Sequence, residues 1–289
     1  METTERSGRV PASVAAVVDR LAQERPAVVT LADVERYVAD TGTARPSRTV
    51  LRELVAAGWL TSSGRRGVWA FVPPGEDEVT DPYVSLRAWA ATSGVVFALA
   101  GESAGWHLGL LARRSADPTS IWIPEGSTIP NSLRAEVRVV RLGWGSEMAG
   151  RVGPRRQWLR SRGLDLTRWS AGLPAFGPEA LLVQLAVRPT SFVAWGEIAV
   201  NIGRLGEACD RPMLLGLLEG QSTPAHQRAA YLLELGGRAV LAAEVLAARP
   251  TSSLARLTIG DANNAGVWSK TYRITDRLVA PFLAEFGKA

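Results

Sequence analysis

The chain has 289 residues, of which 46% are hydrophobic and 21% charged; these proportions favour a globular protein of about two domains and exclude wholesale disorder. One cysteine, Cys209, excludes an intramolecular disulfide, and with two histidines it cannot supply a Cys/His zinc site, so we expect no metal and a cytoplasmic location. The net charge of +5 is compatible with nucleic acid as a partner, whereas no apolar stretch is long enough for a membrane helix.

Three helical segments are predicted near the N-terminus. Residues 11–24 carry apolar side chains at helical spacing. Residues 31–39 follow Thr30, and residues 48–57 follow Ser47; hydroxyl residues of this kind are favoured N-caps. The sequence therefore predicts three short helices in succession.

A β-hairpin is predicted after the third helix. Residues 59–61 and 68–72 are rich in apolar and aromatic side chains, and the glycine-containing turn SSGRRG separates them. Three helices followed by a hairpin is the element order of a winged helix-turn-helix domain.

A stretch rich in proline, glycine and acidic residues interrupts the pattern at residues 72–82. We interpret it as a linker. The predicted organisation is a winged-helix domain of residues 1–74, a linker of residues 75–82 and a C-terminal domain of residues 83–289.

Arginines mark a candidate DNA-binding surface on the third helix and the hairpin. The spacing of Val50, Leu51, Leu54 and Val55 predicts an inward face, which leaves the arginines of this helix outward. The second helix of a helix-turn-helix reads base edges, and the hairpin tip reaches phosphate or the minor groove. The predicted DNA contacts are Arg45, Ser47, Arg48, Thr49, Arg52, Arg65 and Arg66. A solvated helix face, or a winged helix that only contacts protein, remains an alternative.

A possible catalytic motif follows the predicted linker. Residues 101–105 read G-x-S-x-G, the nucleophile elbow of α/β-hydrolases, and His226 with Glu179 or Asp210 would supply the partners of Ser103 in chain order. The elbow belongs to a central parallel strand preceded by several βα units, whereas here a DNA-binding domain and a linker precede it. We therefore expect no catalytic residue. Nucleotide-binding and H-E-x-x-H motifs are absent from the sequence, so we expect no cofactor.

The region beyond the linker alternates between helical and strand patterns, which predicts a mixed α/β domain and an α+β protein overall. The predicted strands are residues 120–123 and 137–142, after an apolar segment near Val95. The predicted helices are residues 85–91, 178–186, 195–205, 212–218, 225–235, 237–247 and 276–286. Between strands and helices lies an arginine run, residues 151–168, that either is a solvated loop or extends the DNA footprint or receives an acidic partner. Its candidate phosphate or partner contacts are Arg151, Arg155, Arg156 and Arg160.

Four segments together resemble the AbiEi antitoxins of type IV toxin-antitoxin systems. They are the G-W-L and R-G-V-W hairpin at 58–69, the S-A-x-x-H-x-G-L segment at 103–110, G-P-E at 177–179 and Q-R-A-A-Y-L-L-E at 227–234. Their order along the chain carries more weight than any single segment. The resemblance of the second segment implies that Ser103 has a non-catalytic role. Residues 151–168 and 252–268 depart from the family's pattern.

The resemblance implies two activities. One is repression of the protein's own operon through binding to double-stranded DNA at inverted repeats in the promoter. The other is antagonism of a nucleotidyltransferase-like toxin encoded beside it, with or without direct contact. A winged-helix regulator with a ligand-sensing C-terminal domain and a hydrolase fused to a DNA-binding domain are the alternative classes.

Overall fold

The computed structural model describes residues 14–93, 95–114, 118–124, 126–142, 173–260 and 264–286. The chain divides into two compact units, residues 1–95 and 96–289. Within the described residues there are twelve α-helices and nine short strands, which confirms the predicted α+β class. No helix in these ranges has both the length and the apolar character needed to cross a bilayer.

The first three helices are α1 (Ala15–Glu24), α2 (Leu31–Thr41) and α3 (Ser47–Ala56), as the sequence predicts. The predicted cap of α2 is confirmed as a capping box. The Thr30 hydroxyl accepts from the Asp33 amide at 3.3 Å, and the Asp33 carboxylate accepts from the Thr30 amide at 2.8 Å. Each helix buries one apolar face, and the three faces form a common core.

A three-stranded antiparallel sheet completes this core. Its strands are β1 (Val28–Thr30), β2 (Leu60–Ser62) and β3 (Val68–Phe71), in the order β1-β3-β2. The hairpin of β2 and β3 is confirmed. β1 is an addition, because a strand of three residues is too short to show the alternation that identifies strands in a sequence.

The boundary between the units differs from the predicted linker. Helix α4 (Val84–Ser93) buries Leu86, Ala88 and Trp89 and packs on β1 and β3 of the first unit. Residues 75–82 therefore form a loop within the first unit, and the division falls after Val95. Apolar burial against the sheet outweighs the local composition of the proline-rich stretch, which indicated a linker.

The second unit begins with a small mixed sheet. Its strands are β4 (Ala98–Leu99), β5 (Thr119–Trp122) and β6 (Val137–Val140). Strand β5 is central, antiparallel to β4 and parallel to β6. Helix α5 (Gly101–His107) follows β4 directly.

A buried helix, α6 (Pro178–Val187), forms the centre of the second unit. Nine of its ten residues are buried, because α5 and three later helices surround it. The surrounding helices of the unit are α7 (Trp195–Val200), α8 (Ile202–Ala208), α9 (Arg211–Leu218), α10 (Thr223–Leu235) and α11 (Ala239–Ala247). The predicted helix 195–205 is wrong as a single element: it breaks at Asn201, whose side-chain amide donates to the Leu110 carbonyl at 3.0 Å.

The unit ends in a second small sheet and a last helix. The strands β7 (Leu257–Ile259), β8 (Val267–Ser269) and β9 (Ile274–Asp276) have the order β7-β9-β8. Helix α12 (Ala280–Phe286) is shorter than the predicted 276–286, because Asp276 belongs to β9 and its carboxylate accepts from the backbone amides that open α12.

Candidate nucleic-acid interface

Helix α3 presents arginines to solvent over a buried apolar face. Val50 and Leu54 are completely buried, and Arg48 and Arg52 on the other face are exposed. The Arg52 side chain contacts its own helix, with Nε 3.4 Å from the Arg48 carbonyl oxygen. Val55 is 40% exposed, which corrects its predicted place on the inward face. No hydrogen bond or ion pair joins the Arg48 side chain to another described residue, so its guanidinium is available to a ligand.

Residues next to these arginines have structural partners. Arg45, in the turn before α3, forms an ion pair with Glu53. Ser47 is the first residue of α3 and not its cap: Pro46 occupies the N-cap position, and no side chain caps the helix. Thr49 lies 3.5 Å from an Arg52 nitrogen. The Pro46 carbonyl accepts from the Thr49 and Val50 amides at 2.8 and 3.1 Å, so the first helical hydrogen bonds begin at this proline.

The hairpin tip separates its two arginines. Gly64 and Gly67 have φ of +77° and +80°, a conformation that glycine adopts without strain, and they flank Arg65 and Arg66. Arg65 is half-buried and donates to the Thr92 hydroxyl of α4, whereas Arg66 is exposed. The sequence does not indicate Thr92 as a partner of Arg65, because its helix falls within the predicted C-terminal domain.

A polar cluster joins α1 to α2 and uses two further arginines. Glu24 accepts from the Tyr37 hydroxyl at 2.8 Å, and Arg20 and Arg36 pair with its carboxylate at 2.8 and 3.4 Å. The Tyr37 hydrogen bond, helped by these two guanidinium groups, lowers the pKa of Glu24. The cations of α1 and α2 are thus compensated, whereas Arg48 and Arg52 of α3, Arg66 of the hairpin and Arg25 after α1 have no ion pair with a described residue.

The suspected nucleophile elbow in the second unit is a packing motif. Gly101, with φ of +51°, turns the chain from β4 into α5, and its amide donates to the Gln184 side chain at 2.7 Å. Ser103 is buried, and its hydroxyl accepts from the Ser120 amide of β5 at 3.2 Å. The serine therefore joins α5 to the sheet.

The candidate partners of Ser103 have other bonds. The His226 ring lies 3.1 Å from the Ser222 carbonyl oxygen, one turn back on its own helix. Glu179 accepts from the Asp210 amide at 2.7 Å, and Asp210 caps α9. None of these described hydrogen bonds connects a base to Ser103, so the geometry gives no support to a triad.

Glu102, beside Ser103, is a buried carboxylate with three partners. One oxygen accepts from the Ser120 hydroxyl at 3.0 Å and from the Arg138 guanidinium, and the other accepts from the Val193 amide at 2.6 Å. Burying a carboxylate is expensive unless it is paired and hydrogen-bonded. Glu102 thus fixes α5 between the sheet and the segment before α7.

Replacing Ser103 with alanine is expected to lower the free energy of unfolding by about 1–3 kcal/mol, because the buried Ser120 amide loses its acceptor. Biological activity should persist at temperatures where the variant stays folded. Thermal unfolding and fluorophosphonate labelling of the purified protein test this. Covalent labelling of the wild type that disappears in Ser103→Ala, together with ester turnover, would restore the hydrolase hypothesis.

Three of the four family-like segments lie in the second unit. Burial lowers the pKa of His107 to about 4. Along α10, Gln227, Tyr231 and Glu234 share one face and hold the last sheet: the Gln227 amide donates to the Tyr272 carbonyl at 2.8 Å, and Tyr231 donates to Asp276 at 2.8 Å. Burial and the neighbouring Asp276 carboxylate raise the pKa of Tyr231. The segment resemblance thus rests on residues that connect helix and sheet.

Some predicted features cannot be placed. Arg151, Arg155, Arg156 and Arg160 lie outside the described residues. Within the part of the chain that the structure describes, no group of three or more His, Cys, Asp or Glu side chains is placed to hold a metal ion.

Comparison with known proteins supports the segment resemblance. The model of the AbiEi antitoxin C-terminal domain matches residues 95–235, which begin where the second unit begins. The chain is similar to the crystal structure of the RV2827C protein from Mycobacterium tuberculosis, with 39% identity, a TM-score of 0.73 and 96% of each chain covered. Among curated proteins, none matches the chain.

Proposed function

The chain belongs to the AbiEi antitoxin family, and from this we propose that it neutralises a toxin and represses its own promoter. The family match carries the antitoxin role, because it covers most of the helical core of the second unit. The toxin is of nucleotidyltransferase type and is encoded by a neighbouring gene. Both activities take place in the cytoplasm, and neither requires a catalytic residue of this chain.

The first unit is the DNA-binding module in this proposal, a winged helix with α3 as recognition helix. The observation that supports it is the placement of the uncompensated arginines. Arg48 and Arg52 share the exposed face of α3, and Arg66 lies at the tip of the hairpin of the same unit. An α-helix fits the major groove, where arginine pairs with guanine O6 and N7, and the hairpin arginine reaches adjacent phosphate. Two copies bound to an inverted repeat would place α3 of each copy in successive major grooves.

The side-chain partners described above narrow the set of residues that we propose to contact DNA. Arg48, Arg52 and Arg66 carry DNA binding, with Thr49 beside them. Arg45 and Arg65 are already committed to Glu53 and Thr92, so they position the turn and the hairpin and add at most secondary contacts. Ser47, at the first turn of α3, has its amide available for a phosphate.

Co-expression of the full chain with the neighbouring nucleotidyltransferase-type gene is expected to restore growth that the toxin alone arrests. Both genes are placed under inducible promoters, so that repression of the native operon plays no part in the readout. The Arg48→Ala/Arg52→Ala variant should rescue growth as well as the wild type, because toxin antagonism is assigned to the second unit.

Two results would contradict this division. Absence of rescue by soluble wild-type protein would exclude the antitoxin role toward that toxin. Loss of rescue in the folded double arginine variant would place toxin antagonism on the first unit.

A further inference from the structure

The last sheet of the second unit has one buried and one solvent-exposed face. Side chains alternate along a strand and directly paired residues point to the same side. Ile274 and Asp276 of β9 are buried, and Ile259, paired with Asp276, is buried with them. Thr275 lies on the opposite face, in register with Thr258 of β7 and Trp268 of β8. These residues form a row across the outer face.

A glycine directly before the edge strand lies close to Thr275, a residue of this outer face. Gly266 lies two positions before Trp268, and a Cβ on it would come within 2.8 Å of Thr275 Cγ2 and 2.7 Å of Arg277 Cγ. The Thr275 and Arg277 side chains thus approach the backbone directly before β8. Only glycine leaves room for this approach.

Trp268 is an exposed aromatic ring with a cation beside it. The ring is 45% exposed, and the Arg256 guanidinium carbon lies 5.1 Å from its centroid. The alternation that puts Thr258 outward also puts Arg256 on this face. Lys270 and Arg273 are exposed in the turn that connects β8 to β9, where Arg273 has a φ of +51°, so they lie at the end of the sheet and not within its strand alternation.

The charge of this outer face is one-sided. Three exposed cations lie on or next to this face: Arg256 beside the Trp268 ring, and Lys270 and Arg273 in the turn that follows β8. Asp276 is the carboxylate of this sheet among the described residues; it is completely buried and accepts from the Tyr231 hydroxyl and three backbone amides. A surface of this composition attracts polyanions and repels basic ligands.

We propose that this outer face, carried by Arg256, Trp268, Lys270 and Arg273, binds single-stranded nucleic acid. An unpaired base stacks on Trp268, and the cations contact the flanking phosphates. Base–aromatic stacking tolerates any sequence, because every base has a π-face, and a basic groove or face follows the backbone. Duplex DNA fits less well, since its bases are already stacked on each other. The proposal is independent of operator recognition by α3.

Fluorescence anisotropy with labelled oligouridylate and oligothymidylate of about 10 nucleotides tests the site. The full chain is used with Arg48, Arg52 and Arg66 replaced by alanine, so that the first unit does not contribute. Trp268→Ala is expected to weaken binding about tenfold or more, and Trp268→Phe to retain most of it. Removing Lys270 and Arg273 should reduce the salt dependence. Comparison of the two oligonucleotides distinguishes RNA from DNA as the ligand.

Matched controls in the same unit are Trp106→Ala and Arg113→Gln, which remove an exposed tryptophan and an exposed arginine elsewhere. Both should bind like the parent protein. Equal affinity for a duplex of the same length, with no effect of Trp268→Ala in a folded variant, would overturn the proposal. Displacement of the oligonucleotide by polyglutamate at equal charge concentration would instead identify an acidic polypeptide as the ligand and overturn it as well.

Discussion

Replacing Arg48 and Arg52 together with alanine is expected to weaken binding of the protein to its own promoter about 30-fold or more. Each arginine that pairs bidentately with guanine contributes about 1–3 kcal/mol, and the two contributions are lost together. Both side chains are exposed over the buried residues of α3, so the substitution leaves the core of the first unit intact. Gel shifts with the native promoter and with a scrambled duplex measure the loss of affinity and of sequence preference.

The control removes the same charge elsewhere. Arg20→Ala/Arg113→Ala removes one arginine from α1 and one from the loop after α5. This variant should bind the promoter within about threefold of the wild type, because exposed ion pairs contribute little to stability. Arg66→Ala should weaken all duplexes alike and lower the salt slope by about one unit. Unchanged binding by the Arg48→Ala/Arg52→Ala variant would exclude α3 as the recognition helix.

Asp276→Ala is expected to destabilise the second unit by about 3–7 kcal/mol. The carboxylate is fully buried, and its loss leaves the Tyr231 hydroxyl and the Val279 amide, both buried, without an acceptor. Each such group costs about 1–3 kcal/mol, and the lost cap of α12 adds about 1 kcal/mol. Calorimetry should show a Tm lower by about 10 °C.

Asp210→Ala provides the matched control for this change. Asp210 also caps a helix, accepting from the Met213 amide at 3.0 Å, but it is exposed. Its loss should cost about 1 kcal/mol. Tyr231→Phe, which removes one of the four donors, should lie between the two. Equal destabilisation by Asp276→Ala and Asp210→Ala would show that the buried network contributes nothing beyond a cap.

Local patterns were sufficient to predict most helices. Thr30, with Asp33 three residues later, marks the start of α2, and Gly-Pro-Glu before a continuous apolar run marks the start of α6. The exposed arginines of α3 were predictable from the spacing of Val50 and Leu54. The exposure of Val55 was not predictable. Its spacing along α3 is that of a buried residue, but no neighbouring side chain covers it.

Elements that depend on distant partners were not predictable. β7 and β9 are parallel and separated by β8, so no hairpin turn connects them, and at three residues each they are too short to show alternation. Arg65 pairs with Thr92 because α4 packs on the sheet of the first unit. The proline-rich segment between Arg65 and Thr92 indicated a linker, so the sequence did not predict this packing. The outer face around Trp268 emerges only once these three strands are paired.

The position of α4 determines which piece of the chain can be exchanged between proteins. Its Leu86 and Trp89 help to cover β1 and β3, although it follows the proline-rich loop in sequence. A chimera joined at residue 95 would carry this covering helix with its own sheet, whereas one joined at residue 74 would leave that sheet to a foreign helix. If the first unit binds the operator as proposed, recombination that gives the protein a new operator should therefore transfer residues 1–95 as one block.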